Sequence, residues 1–123
     1  MTTCPFCEDT VEAVFENEFS FAIRDRYPVS DGHMLIISKR HLDDYFELTR
    51  REKRACWELV DRVKQSLEKE LNPDGWNIGI NTGKAAGQTV FHVHIHLIPR
   101  CEGDVDDPRG GVRNTIPGMG DYG

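Results

Sequence analysis

Two periods of hydrophobic and polar residues divide the chain. Cys56, Leu59, Val60, Val63, Leu67 and Leu71 recur at spacings of three and four with Lys, Arg and Glu between them, which predicts an amphipathic helix about six turns long. Thr49-Arg50-Arg51-Glu52 has the form of a capping box, so the helix should start there, and Asn72-Pro73-Asp74-Gly75 should end it. Elsewhere the period drops to two or the apolar run is continuous. Val11 to Phe15 and Phe19 to Arg24 predict a hairpin turning at Glu16-Asn17-Glu18. Pro28 to Gly32 is a loop, and residues 33–38 then form a short apolar run consistent with a buried central strand, with His33 at its polar first position. Leu42 to Leu48 predicts a short helix or turn, and Trp76 to Asn81 a strand whose register the pattern does not set. Gly83 to Gly87 is a small-residue loop leading into the last strand. Five strands, one long helix and a short one predict an α+β domain, an antiparallel sheet with the helix on one face.

The last strand is the unusual one. In Phe91-His92-Val93-His94-Ile95-His96-Leu97, imidazoles and aliphatic residues alternate, so all three histidines are expected on one face and Val93, Ile95 and Leu97 on the core face. At about 3.3 Å of rise per residue His92 and His96 would stand roughly 13 Å apart, which argues against one metal held by all three. A neutral imidazole can attack phosphorus without first losing a proton. His94, flanked by its neighbours, is the best-placed nucleophile, His96 can donate to a phosphate oxygen, and His92 can orient its neighbour or bind something else. A cross-strand metal site is the competing reading of the same row.

Composition narrows the ligands. The chain has 123 residues, 38% hydrophobic and 29% charged, enough for one domain with a core. Its formal net charge of −6, without a basic run, makes nucleic-acid binding a poor candidate; an anion site must be local, built from imidazoles, backbone N–H groups and a few placed donors. No apolar run reaches the ~20 residues of a membrane span and no secretory signal is visible, so a cytoplasmic setting is the default expectation. The four cysteines are expected as thiols or metal ligands rather than disulfides, with Cys56, on the helix stripe, a small buried hydrophobe. Residues 1–100 form the expected domain; residues 101–123, rich in Gly, Pro and Asp, form a tail packing on the domain or on a dimer partner. Arg109 and Arg113 in that tail are candidates to reach a polyphosphate or the partner subunit.

The histidine row resembles the motif of the histidine triad family, nucleotide-binding hydrolases and transferases. Further pieces match: Asn81-Thr82-Gly83, Gly87-Gln88-Thr89-Val90, and Asp31-Gly32-His33-Met34-Leu35. The resemblance implies that His94 is the nucleophile, forming a nucleotidyl intermediate at an α-phosphate, that His96 contacts the phosphate and that His92 supports the site. It also implies His33 as a fourth active-site histidine, phosphate or leaving-group contacts from Asn81, Gln88 and Thr89, a ribose contact from Asp25 and a base contact from Phe6. A third histidine, where the uridylyltransferase branch carries Gln, points to a hydrolase, and Leu97-Ile98-Pro99-Arg100 looks closer to dinucleoside polyphosphate hydrolases than to phosphoramidases. A nucleotidyltransferase or phosphorylase using the same intermediate is the alternative, and a non-enzymatic zinc-containing nucleotide-binding protein the second. Family members are usually homodimers with sheets joined across the two-fold axis. Cys4-Pro5-Phe6-Cys7 by itself is a weak zinc signal, and four tetrahedral ligands are needed. Some bacterial triad proteins complete such a pair with the histidine after the Lys-x-His strand end and the first triad histidine. By that resemblance a structural zinc would be held by Cys4, Cys7, His41 and His92.

Overall fold

The computed structural model describes residues 4–122. Its sheet has five antiparallel strands, β1 (Phe15–Glu16), β2 (Ser20–Arg24), β3 (Met34–Ser38), β4 (Gly75–Gly79) and β5 (His94–Arg100), in the order β1-β2-β3-β5-β4. The helix α1 (Arg50–Leu71) lies across one face, as the pattern predicts. Thr49 Oγ1 accepts from the Glu52 N–H at 3.1 Å and Glu52 Oε1 accepts from the Thr49 N–H at 2.8 Å, so both halves of the capping box form. The stripe of Cys56, Leu59, Val60, Val63 and Leu67 is buried against Ala22, Ile36, Ile95 and Leu97. Each aliphatic side chain so buried contributes about 1.5–3 kcal/mol. Leu71, last on the stripe, is half-exposed instead, because α1 ends there at Asn72 in left-handed geometry. Burial also pushes the Cys56 thiol up to about 11, in keeping with a packing role.

Three expected boundaries move. β1 shrinks to two residues: Asn17 Oδ1 accepts from the backbone of Phe19 and Ser20 and from the Ser20 hydroxyl, which makes a tight turn and leaves Val11–Val14 outside the ladder, apart from one bond from the Val14 N–H to the Ala22 carbonyl. β4 starts at Gly75, and its register pairs Trp76 with Pro99 and Ile78 with Leu97. The third change matters most for the site. β5 begins at His94, and His92 precedes the strand, where the Val93 N–H donates to the Leu42 carbonyl at 2.8 Å.

Between Leu42 and Leu48 the expected short helix or turn is a single 3-10 turn, Tyr45–Glu47, capped by the Asp44 carboxylate. Gly32, just before His33, has φ +86°, and a Cβ there would lie 2.5 Å from the Leu71 side chain; a glycine permits both the turn and the close approach. After β5 the chain makes loops and a 3-10 turn, Gly111–Thr115, that touches β4. Arg109 pairs with Asp121 at 3.3 Å, and Arg113 donates to the Met119 carbonyl and lies 4.2 Å over the Tyr122 ring. Both arginines are engaged within the tail, and neither lines the cleft described next.

Candidate functional site

On the sheet face opposite α1, strand alternation brings Ile23, Leu35 and His96 into register across β2, β3 and β5. They form the floor of a cleft of about 480 Å³, within the size range of small-molecule sites. Phe6, Val11, Val14, Asn81, Gly87 and Thr89 line it, with Asp25, Arg24, Arg26 and His94 also in its wall. Gly87 has φ +93° and an added Cβ would meet nothing, so the loop there depends on the backbone conformation rather than on close packing.

The histidines are separated by their hydrogen bonds. His94 Nδ1 lies 2.7 Å from the His92 carbonyl, which can only accept, so Nδ1 carries the proton and the lone pair is at Nε2. Phe6 stands edge-on to the His94 ring, centroids 5.1 Å apart. His96 Nδ1 lies 3.0 Å from His33 Nε2, and His33 Nδ1 accepts from the Val29 N–H at 3.1 Å. His33 therefore carries its proton on Nε2, and His96 accepts it at Nδ1 and keeps its own hydrogen on Nε2. Asp25 Oδ2 is 3.3 Å from the same His33 nitrogen, while Oδ1 accepts from the Tyr27 N–H at 2.9 Å. Burial is the largest cause holding His96 down at about 4, helped by His94 and His33 and opposed by Asp25. It depresses His33 as well, again against Asp25. Such an arrangement offers a nucleophilic nitrogen beside a neutral N–H donor.

His92 faces another way. It is 1% exposed, donates from Nε2 to the Ser38 carbonyl at 2.6 Å, and so presents a bare Nδ1 to Cys4 Sγ at 3.4 Å, Cys7 Sγ at 3.5 Å and His41 Nδ1 at 3.2 Å. Cys7 Sγ is 3.2 Å from His41 Nδ1, and one donor atom from each of the four residues lies within 4.8 Å of the others. A tetrahedral zinc with bonds of 2.0–2.3 Å would separate its ligands by roughly 3.3–3.8 Å. These spacings and a Cys₂His₂ donor set are compatible with zinc.

Residues 8–103 match the HIT domain family. The chain belongs to the HIT family. It is 37% identical over 106 residues to a HIT-like protein of Mycoplasma genitalium, spanning 82% of this chain and 75% of the relative. With the bis(5'-adenosyl)-triphosphatase of Dictyostelium discoideum it shares 41% identity over 96 residues, 78% of this chain and 64% of that one. Among solved structures, a Zn-bound histidine triad family protein from Mycobacterium smegmatis superposes with a TM-score of 0.75 at 35% identity, covering 83% of this chain and 78% of the other.

The fold brings Phe6, just before the matched residues, together with Asp25, Asn81, Thr89, His94 and His96 in one cleft, with His33 behind His96. Two expected residues are elsewhere. His92 leaves the common face because its residue precedes the strand, and its ring joins Cys4, Cys7 and His41. Gln88 is 4% exposed and spends its amide inside the loop, accepting from the Gly83 N–H at 2.8 Å and donating to the carbonyls of Asp43 and Val90. Its side chain has no donor left for a phosphate, so it supports the loop that presents Thr89. Sequence reasoning passed over Arg24, Arg26 and the Val29 amide. The arginines flank Asp25 directly, but the strand period turns Arg24 to the face of Ala22 and Arg26 lies beyond the end of β2, and nothing in the sequence marks a backbone N–H.

Proposed function

We propose that this chain hydrolyses nucleotides at a nucleoside α-phosphate through a nucleotidyl-histidine intermediate on His94. The observation that carries the reading is the 2.7 Å bond from His94 Nδ1–H to the His92 carbonyl, which leaves the Nε2 lone pair of a residue lining the cleft free to attack. The His96 Nε2–H stabilises negative charge on the phosphate oxygens, with Thr89 and Asn81 as further donors. The apolar wall of Phe6, Val11, Ile23 and Leu35 receives the base, and Asp25 the ribose hydroxyls. Water then displaces the histidine and releases a nucleoside monophosphate. The similarity to a bis(5'-adenosyl)-triphosphatase supports this choice of reaction.

Cys4, Cys7, His41 and His92 hold a structural zinc, which ties the N-terminal turn carrying Phe6 to the core. With four protein ligands such a site leaves no open position for chemistry. Homodimerisation follows the family habit, and the position of β4 at the end of the sheet, with half-exposed Ile78, suits it. Among the described residues no helix is long and apolar enough to cross a membrane.

The test is single-turnover assay of dinucleoside polyphosphates, nucleoside phosphoramidates and adenylylated acceptors with wild type and His94→Ala. The variant is expected to bind nucleotide and release no monophosphate. Equal turnover in both proteins sinks the assignment, and formation of a nucleoside diphosphate with inorganic phosphate would identify a phosphorylase instead.

A further inference from the structure

The N-terminal segment is tethered by its sulfurs. Among the described residues, every hydrogen bond that joins residues 4–13 to the rest of the fold runs through Cys4 Sγ or Cys7 Sγ, to His92 Nδ1 and His41 Nδ1. The others stay inside the segment: the Cys7 N–H to the Cys4 carbonyl, the Val11 N–H to the Glu8 carbonyl and the Thr10 hydroxyl to the Glu8 carboxylate. The first backbone bond to the sheet comes at Val14. Yet this segment supplies Pro5, Phe6, Thr10, Val11 and Glu12 to the wall of the cleft. Phe6, between the two cysteines, stands edge-on to His94 and His92, at centroid distances of 5.1 and 5.9 Å.

Cys4 and Cys7 are also placed to join each other. The 3.0 Å bond from the Cys7 N–H to the Cys4 carbonyl closes a β-turn with Pro5 at its second position. The Cα atoms at the ends of such a turn lie within about 7 Å, which overlaps the range of about 4.4–6.8 Å that a disulfide spans. Cys7 is exposed and Cys4 partly so, whereas Cys56 is buried in the core and Cys101 lies outside the cluster. A disulfide holds its sulfurs about 2.05 Å apart, against roughly 3.8 Å for two thiolates on one tetrahedral zinc, so the bond and the metal exclude each other.

We propose that Cys4 and Cys7 are a thiol-oxidation site: a peroxide converts them to a disulfide, zinc is released, and the segment carrying Phe6 detaches from the cleft. The inference rests on two readings above, of the cluster as a zinc site and of the cleft as a nucleotide site. One thiolate attacks a peroxide oxygen, the O–O bond breaks and hydroxide leaves, giving a sulfenic acid. The second thiolate attacks that sulfur, forms the S–S bond and expels a second hydroxide. Two protons from solvent turn both hydroxides into water; the sulfurs are oxidised by two electrons and the peroxide is reduced by the same two. Zn²⁺ is lost because only two imidazoles of its four ligands remain. The His92 ring keeps its place, held by the 2.6 Å bond from Nε2 to the Ser38 carbonyl, so the histidine half of the site persists and a dithiol reductant restores the rest.

The test treats protein purified without chelator, in a Cys101→Ser background, with hydrogen peroxide beside a chromophoric zinc chelator. Close to one zinc per chain is expected to appear, together with a Cys4–Cys7 disulfide in peptide mass spectra, and dithiothreitol with added zinc should reverse both. Affinity for adenosine monophosphate, read by calorimetry, should fall about three- to tenfold in the oxidised protein, the scale of one lost aromatic contact. Phe6→Ala should show that lower affinity already when reduced, and lose most of the redox response while still releasing zinc. Zinc that stays bound through oxidation overturns the switch, as does an affinity unchanged by complete oxidation or a Phe6→Ala response equal to that of wild type. Protein with no zinc before oxidation defeats the zinc reading, and reduced protein that does not bind the nucleotide defeats that of the cleft; either takes the proposal with it.

Discussion

Replacing Glu52 by Gln removes one charge from a junction that fixes the start of α1 to the end of β3. Glu52 is 5% exposed, and its carboxylate accepts from the Arg40 guanidinium at 2.8 and 2.9 Å and from the Thr49 N–H at 2.8 Å. The hydrogen bond from Arg40 is the largest cause holding this carboxyl down at about 2, against 4.5 ordinarily. At about 1.36 kcal/mol per pH unit of separation, that ceiling is about 3.4 kcal/mol. The Arg40 side chain is 52% exposed, so water screens the pair and about 1–2 kcal/mol is the expected loss at neutral pH. Because the folded carboxyl ionises at lower pH than the unfolded one, this stabilisation is complete above about pH 4.5 and disappears as the pH falls toward 2. Urea denaturation of wild type and Glu52→Gln should therefore give a gap that is widest at pH 7 and narrows by pH 3. A gap that does not change with pH would refute the electrostatic account and leave only the cap.

Three further outcomes are expected. Cys4→Ser should lower zinc below one ion per chain by elemental analysis and reduce the melting temperature, each lost kcal/mol being worth roughly 4 °C in a chain of this size; metal-free wild-type protein of unchanged stability contradicts the site. Gln88→Ala strands the Gly83 N–H and should cost about 1–2 kcal/mol in chemical denaturation while slowing turnover through Thr89, and an unaltered rate would detach the loop from catalysis. His96, held at about 4, takes up its proton in the unfolded chain first, so stability should be full above about pH 6.5 and decline as the pH falls toward 4, by at most about 3.4 kcal/mol; His96→Gln should flatten that decline in urea midpoints.

What could be read from the sequence was what its neighbours in sequence decide. Thr49 and Glu52 are three residues apart and cap the helix by local geometry, and the period of α1 identifies the stripe that Leu59 and Val63 bury. Strand limits depend on partners far along the chain. His92 leaves the histidine face because Val93 bonds to Leu42 across a loop, a pairing that periodicity does not encode. The association of His33 with His96, 63 residues apart, follows from the antiparallel pairing of β3 with β5. The triad motif located the cleft, and the direction of each ring was settled by carbonyl and amide groups that look alike in every sequence.

Residue 92 serves two neighbours with two parts of itself, its ring toward the cysteines and its carbonyl toward His94. The His94 ring is thus aimed by main chain, which no substitution at position 92 other than one that moves the backbone can delete. A lineage could exchange Cys4, Cys7, His41 and the ring of His92 for an apolar plug and still inherit a His94 ring pointed the same way. The cysteine–histidine cluster and the cleft, though they meet in one residue, are free to evolve apart.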